Sequence, residues 1–325
     1  DQNIRVWAVD NADDAVTVTD MFTNATALDA RYDAFPHGFA NSPTIGTFFR
    51  KTQITNGNVA TAVSGWCDNA DEAEATYGDI EVWNVRSVSG GFKELFLNKT
   101  SFNTDISKWN TVSGTDMEGM FNRATAFNQD IGCWNVSNVT TMKHMFANAD
   151  IFNKYIGDWT TNSVLTMEGM FGSADAFNED ISGWNTSNVT NMNSMFKTAV
   201  AFNQPINYDS EREVWDVSSV ENMGAMFYSE GDSMAFNQDI GDWDTTSVTT
   251  MAEMFENAGS FHQSLSSWDV SGVEDMSYMF KDATAFNGDI EEWVPKSVAD
   301  MPGMFNSAII FNQDISGWDV SSVED

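Results

Sequence analysis

The sequence predicts an α/β solenoid, built from leucine-rich-repeat-like coils of about 25 residues with a parallel β-sheet on one face and short helices on the other. One phrase, F-N-x-D-I-x-x-W-x-V-S-x-V-x-x-M-x-x-M-F-x-x-A, recurs nine times, and every interval between copies is 25 residues except one of 34. A fixed period of this length is typical of stacked repeats, because so small a unit cannot bury its apolar side chains alone. The 12 Trp, 24 Phe and 18 Met can supply one continuous core.

Each copy contains a predicted strand and then a predicted helix. In the copy that begins with Phe127, the letters I-x-x-W-x-V have the L-x-x-L-x-L spacing of a leucine-rich-repeat strand. The apolar residues from Val139 to Ala149 then follow at steps of 3, 3, 1 and 3, which is typical of one face of a helix. We therefore expect the strands of successive coils to pair in parallel.

Along the chain, the pattern indicates three segments. Residues 1–28 are a degenerate N-terminal repeat, residues 29–78 are an insertion or capping segment, and residues 79–325 are the repeat solenoid. The solenoid stops in the middle of a repeat at Asp325, so either the protein continues or another molecule completes that coil. The longer interval adds residues around 208–213 and 231–233, where a solvated charged loop is expected.

An asparagine follows the opening Phe in eight of the nine copies, and His262 stands there in the remaining one. An amide side chain can both donate and accept, so stacked asparagines can satisfy the backbone of successive turns. We call this predicted column the asparagine ladder. Its members are Asn103, Asn128, Asn153, Asn178, Asn203, Asn237, Asn287 and Asn312.

An aspartate lies two positions after the ladder asparagine in six copies, and Tyr155, Pro205 and Ser264 replace it in the others. These carboxylates either accept backbone N–H groups at a turn or, stacked one coil apart, bind calcium, which prefers oxygen ligands. Both interpretations remain open, and no other cofactor is predicted. The aspartate row consists of Asp105, Asp130, Asp180, Asp239, Asp289 and Asp314.

Two covalent features could add to this scaffold. Cys67 and Cys133 are the only cysteines, and a disulfide between them would tie the segment 29–78 to the coils. Six N-x-[ST] sequons occur, a number that the composition alone accounts for, so they are glycosylation sites only if the protein is secreted by a eukaryote. The sequon asparagines are Asn24, Asn98, Asn135, Asn138, Asn185 and Asn188.

Composition and charge exclude several classes of function. A net charge of −33 repels nucleic acid and anionic lipid, and no apolar run is long enough for a membrane helix, so neither nucleic-acid binding nor membrane insertion is expected. The three histidines, His37, His144 and His262, are far apart and match no metal or triad spacing. No catalytic residues and no enzymatic activity are therefore predicted.

The repeats, for instance F-N-Q-D-I-G-C-W-N-V-S-N-V-T-T-M-K-H-M-F at residues 127–146, closely resemble those of BspA-type leucine-rich-repeat surface proteins. The resemblance covers about residues 79–325. It implies an extracellular or cell-surface solenoid that serves in adhesion, matrix binding or surface coating, and it implies no catalytic residues.

Two functional hypotheses follow. The leading one is a non-enzymatic structural or adhesive surface protein that assembles end to end into filaments with other copies of itself, since the end of a solenoid exposes unpaired backbone. The alternative is a monomeric module that binds an extracellular receptor or matrix component through the strand face. On that hypothesis, substitution of Asn135, Asn185 and Asp244 should abolish binding without a change in stability.

Overall fold

The computed structural model describes residues 51–207, 215–231 and 234–324. The chain divides into two compact units, Asp1–Thr52 and Gln53–Asp325. The predicted degenerate repeat at residues 1–28 and the added residues 208–213 lie outside the described residues, and so do His37 and Asn24. The second unit contains the repeats.

Two short helices precede the repeats in this unit. Helix α1 is Val59–Asp68 and helix α2 is Ala70–Tyr77. Asn69 separates them and caps α2, because its side chain accepts a hydrogen bond from the Glu72 N–H at 3.4 Å. Gly78, with φ of +85°, ends α2 in a conformation that few other residues adopt.

The two helices pack on the first coil, which a 3₁₀ turn at Ile80–Val82 introduces. Trp66 of α1 and Tyr77 of α2 both meet the ring of Trp83 edge-on, with centroids 6.2 and 5.9 Å away. The buried face of α1 belongs to the same apolar core as the coils. The part of the predicted insertion from residue 53 onward therefore covers the first coil.

From residue 79 onward, coils of about 25 residues stack on one another, which confirms the predicted repeat. The aromatic residues form columns: Trp109 lies 6.3 Å from Trp134 with rings 5° apart, and Phe146 lies 5.6 Å from Phe171. Burying each such ring contributes about 2–3 kcal/mol, so contact between coils is the main source of stability.

From Trp109 onward, the indole of each coil also forms a hydrogen bond to the preceding coil. In the coil that begins at Phe127, Trp134 Nε1 donates to the carbonyl of Ile106 at 3.1 Å, and the same bond recurs in every coil from Trp109 to Trp318. A large apolar side chain with one polar atom therefore fills the core without leaving that atom unpaired.

The predicted strands and helices of the coils are wrong. The I-x-x-W segment is a turn, because the Trp134 N–H bonds the Ile131 carbonyl three residues earlier. The described coils contain no β-sheet, only isolated parallel bridges, and these occur in the segment expected to be helical. The bridges join Asp116, Thr141, Thr166, Asn191, Asn222, Thr250, Asp275 and Asp300 in succession.

The backbone of the M-x-x-M-F segment explains this difference. The N–H groups of Met117, Gly119 and Phe121 bond carbonyls of the next coil at 2.8–3.1 Å, whereas the Met120 N–H bonds the carbonyl three residues earlier. Gly119 and Arg123, four residues apart, have φ of +59°. Such left-handed residues interrupt a right-handed helix and turn alternate peptides toward the next coil. Consecutive turns thus produce the apolar spacing that resembled a helix.

Candidate functional site

The asparagine ladder runs along the coils through hydrogen bonds between neighbouring copies. Asn103 Oδ1 accepts from the Asn128 N–H at 2.9 Å, and the same bond continues, coil by coil, to Asn237. Asn237 Oδ1 accepts from the His262 N–H at 3.0 Å, and Asn287 Oδ1 accepts from the Asn312 N–H at 2.7 Å. The ladder side chains therefore hold turn backbone.

A second row of amides joins this ladder, and sequence reasoning missed it. Gln204 Nε2 donates to both the carbonyl and Oδ1 of Asn178, at 2.9 and 3.2 Å. The signal was present in the sequence, because a glutamine occupies the third position of the phrase in five of the nine copies. The residues that make this contact are Gln129, Gln204, Gln238, Gln263 and Gln313.

The aspartate row closes turns within its own coils. Oδ1 of each member accepts the N–H two residues later at 2.9–3.0 Å, as Asp180 does from Ser182. For Asp105 and Asp314, bonds from Ser107 and Ser316 hold the carboxyl pKa below its ordinary value. Across the described ranges, no three His, Cys, Asp or Glu side chains lie close enough to share a metal ion. The geometry favours the turn-closing role of these carboxylates, and calcium binding stays a prediction.

The strand-face residues of the receptor hypothesis also support turns. Asn135, Asn185 and Asp244 each accept the N–H two residues later, at 3.0–3.1 Å. Removing them would leave a backbone N–H without this partner, so binding and stability would change together. The prediction that stability stays unchanged is at odds with this geometry.

Four of the six sequon asparagines are exposed: Asn98, Asn135, Asn138 and Asn188. Asn185 is half-buried. The side-chain amides of Asn138 and Asn188 donate to carbonyls of the preceding coil at 2.8 Å, a bond that a glycan on that nitrogen would disturb.

Both cysteines are free thiols, so the predicted disulfide is not formed. Cys67 lies in α1, which packs on the first coil, whereas Cys133 belongs to the coil two steps further along the Trp column. A disulfide requires Cα atoms within about 7 Å, which this separation along the column does not favour. Cys133 Sγ is exposed and donates to the Ser107 carbonyl at 3.1 Å, while burial raises the pKa of the Cys67 thiol.

Several cations of this acidic protein are paired between neighbouring coils. Lys93 bonds Glu118 and Lys143 bonds Glu168, both at 2.8 Å, and Lys281 bonds the largely buried Glu256 at 2.6 Å. Exposed pairs of this kind contribute about 0–1 kcal/mol each. They neutralise three acidic side chains of a protein whose net charge is −33.

Departures from the repeat meet in one cleft between the coils that begin at Phe127 and Phe152. We call it the Tyr155 cleft, and it has a volume of about 480 Å³. Tyr155 replaces an aspartate of the aspartate row, and Lys154 occupies the position where other coils carry the ladder-bonding glutamine. The lining residues are Asp130, Gly132, Cys133, Lys154, Tyr155 and Asp158.

The tyrosine ring is held in place at the cleft wall. Tyr155 Oη donates to Asp158 Oδ1 at 3.1 Å, and this bond is the main reason why the phenol pKa is raised. The ring lies directly over Gly157, where a Cβ atom would come within 2.8 Å of it. Nevertheless, Tyr155 remains 48% exposed. An exposed, oriented aromatic ring beside charged groups can contact a ligand.

Within the described parts of the chain, no helix is both long and apolar enough to cross a membrane. Comparison with known proteins identifies the repeats. The profile of one family, described as "Mycoplasma protein of unknown function, DUF285", matches three successive stretches, 61–175, 152–241 and 229–325. No curated protein and no solved structure matches the chain. Because the matched stretches together span residues 61–325, the chain belongs to the DUF285 family of tandem-repeat proteins.

Proposed function

We propose that this chain is a non-enzymatic extracellular protein with a structural or adhesive role at a cell surface, and that it binds an extracellular protein or matrix component through the exposed positions of its coils. One observation carries the proposal: the recurring residues of a coil stabilise the fold, whereas the residues that vary from coil to coil lie at the surface. The recurring Trp, Met and Phe are buried, and the recurring Asn and Asp bond backbone. Variation is left to positions at the surface, such as those of the half-buried Lys154 and the exposed Tyr155. A constant interior with a variable surface suits recognition of large partners.

The resemblance of the repeats to BspA-type leucine-rich-repeat surface proteins supports the extracellular location. On this proposal, the coils are an atypical form of that repeat, in which stacked turns and parallel bridges take the place of sheet and helices. The acidic surface supports the same setting, because it keeps a surface protein soluble and discourages contact with nucleic acid.

End-to-end assembly into filaments remains a prediction, and it depends on whether the coils at the two ends of the stack are covered. Coil-on-coil stacking of two copies needs an open coil face on each, but α1 and α2 pack on the first coil through Trp66 and Tyr77. The last described coil exposes Ile315 and Val320, whose counterparts Ile290 and Val270 are buried in preceding coils, so this coil face is open. Binding through the sides of the coils needs no open end, and for this reason it leads the proposal.

The proposal is tested by adhesion of the full chain coupled to beads. We expect the coated beads to bind surfaces carrying fibronectin, laminin or collagen, or cultured cells, more than albumin-coated beads do. Heat-unfolded protein on the same beads is the matched control, because it keeps the charge and loses the coils. Equal retention of native, unfolded and albumin beads on every surface would refute an adhesive role.

A further inference from the structure

We propose that the Tyr155 cleft binds an uncharged pyranose, such as one sugar unit of a surface glycan. This inference deepens the proposed adhesive function and rests on it, since it names the ligand chemistry that one part of the lateral surface would recognise. It starts from Lys154 and Tyr155, which replace the glutamine and aspartate common at their positions. They line one cleft with Cys133 and Asp158, which occupy a position that varies from coil to coil.

The aromatic ring supplies the apolar contact that a sugar needs. One face of a pyranose carries C–H groups, which pack on an aromatic ring through dispersion and remove apolar area from water. Tyr155 is suitable because its hydroxyl bond to Asp158 and its contact with Gly157 fix the ring before any ligand arrives. A preformed ring lowers the entropy lost on binding. Elsewhere in the aspartate row, the same position carries a short acid that offers no such surface.

The polar groups around the ring match sugar hydroxyls. Asp130 and Asp158 each use Oδ1 for a hydrogen bond within the protein, at 3.0 and 3.1 Å, so a second carboxylate oxygen can accept from a hydroxyl. Lys154 has no ion pair within the described residues, and its ammonium can donate to a hydroxyl or ring oxygen. A small number of acceptors and donors beside an aromatic ring is typical of sites that orient a polar ligand.

Charge decides between neutral and acidic sugars. The cleft contains two carboxylates and one ammonium, on a protein whose net charge is −33. An anionic sugar would meet unfavourable potential both in the cleft and on approach to it. The ligand class is therefore a neutral hexopyranose or an N-acetylhexosamine rather than a uronic acid.

The test uses the full chain and saturation-transfer NMR with the methyl glycosides of glucose, galactose, mannose and N-acetylglucosamine. We expect transfer to the C–H face of at least one glycoside, with a dissociation constant on the order of 1 mM, as is reasonable for so small a ligand. Methyl glucuronide, the anionic comparator, should bind more weakly than its neutral counterpart. Stronger binding of the glucuronide would refute the assignment of an uncharged ligand.

Consensus variants separate the cleft from the fold. Tyr155→Asp introduces the residue that six other coils carry, so this variant should fold normally. Its affinity for the glycoside should be lower by about tenfold or more, because one aromatic contact is lost. Lys154→Gln likewise restores the common residue and should weaken binding while thermal unfolding stays unchanged. Tyr278→Ala is the matched control, because Tyr278 is exposed on another part of the coil, and it should bind as the wild type does.

Two results would overturn the inference: no transfer to any of the four glycosides, or equal transfer from the wild type and Tyr155→Asp. Either result would leave the bead-adhesion experiment to decide the adhesive function by itself. Conversely, glycoside binding without any bead adhesion would support the cleft and refute adhesion, so the two failures can be told apart.

Discussion

Asn178 provides the sharpest test of the asparagine ladder, because its side chain bonds two groups of the next coil. Oδ1 accepts from the Asn203 N–H at 2.9 Å and from Gln204 Nε2 at 3.2 Å. Asn178→Ala removes both bonds. Gln204 keeps its bond to the Asn178 carbonyl, but the Asn203 N–H is left half-buried without this acceptor.

The expected loss follows from those two bonds. A hydrogen bond contributes about 0.5–1.5 kcal/mol, and a buried donor left unpaired costs about 1–3 kcal/mol. Because the Gln204 bond is replaceable and Asn203 is only half-buried, we expect Asn178→Ala to lower the free energy of unfolding by about 2 kcal/mol. Asn178→Asp is the matched control, since it keeps Oδ1 as an acceptor and should lose less than about 1 kcal/mol.

Urea unfolding followed by tryptophan fluorescence measures the difference between the variants. Since a stack of coils can open locally, hydrogen exchange of the Asn203 amide gives a second, site-specific readout. We expect faster exchange at that amide in the Ala variant and near-native exchange in the Asp variant. Equal destabilisation by Ala and Asp, or unchanged exchange at Asn203 in the Ala variant, would refute the role assigned to the ladder.

Three further predictions concern the turns and the thiols. Thr198 has φ of +56°, which is strained for a β-branched residue, and its buried hydroxyl has no hydrogen-bond partner. Several other coils carry Asn at this position, so we expect Thr198→Asn to raise the free energy of unfolding by about 1 kcal/mol in the same urea assay. A lower free energy of unfolding would contradict this reasoning. Hydrogen bonds from Ser271 lower the folded-state pKa of Asp269, so this group contributes stability above its unfolded pKa, about 3.9, and loses it as pH falls through the lower folded value. Asp269→Asn keeps the acceptor without titrating, so its melting temperature should fall less than that of the wild type between pH 5 and pH 3, and parallel pH profiles would exclude this linkage. Titration of the non-reduced protein with a chromogenic disulfide should detect two free thiols. The exposed Cys133 should react faster than Cys67, because burial raises the pKa of the Cys67 thiol. Detection of no free thiol would support the disulfide between Cys67 and Cys133.

Much of the architecture could be predicted because repetition carries it. When every coil has the same length, equivalent side chains of successive coils lie next to each other. Trp134 therefore stacks on Trp109 for any regular backbone conformation between them. The same reasoning placed the ladder asparagines in one column, since a residue that recurs at each turn meets its own copies. Burial of the aromatic residues follows from composition and period together.

The candidate site was harder to predict than the scaffold. Tyr155 appeared in the sequence only as a gap in the aspartate row, and Cys133 only as half of a disulfide. Their meeting with Lys154 and Asp158 depends on how two successive coils lie side by side. The period of 25 residues places Cys133 beside Asp158 and Asp130 beside Tyr155, but it does not show that the ring of Tyr155 lies over Gly157 and bonds Asp158.

The sequence alone therefore determined the period, the core and the columns of this protein, whereas the tertiary structure decided how the backbone connects them. Apolar residues three and four apart are compatible with a helix and also with consecutive turns, because both bring them to one face. The outcome depends on where the N–H groups find acceptors. At Met117 and Gly119 they find them in the next coil, and the left-handed conformation of Gly119 makes that connection possible. Those carbonyls belong to the neighbouring coil. The backbone conformation of a repeat could therefore not be predicted from the residue pattern within that repeat.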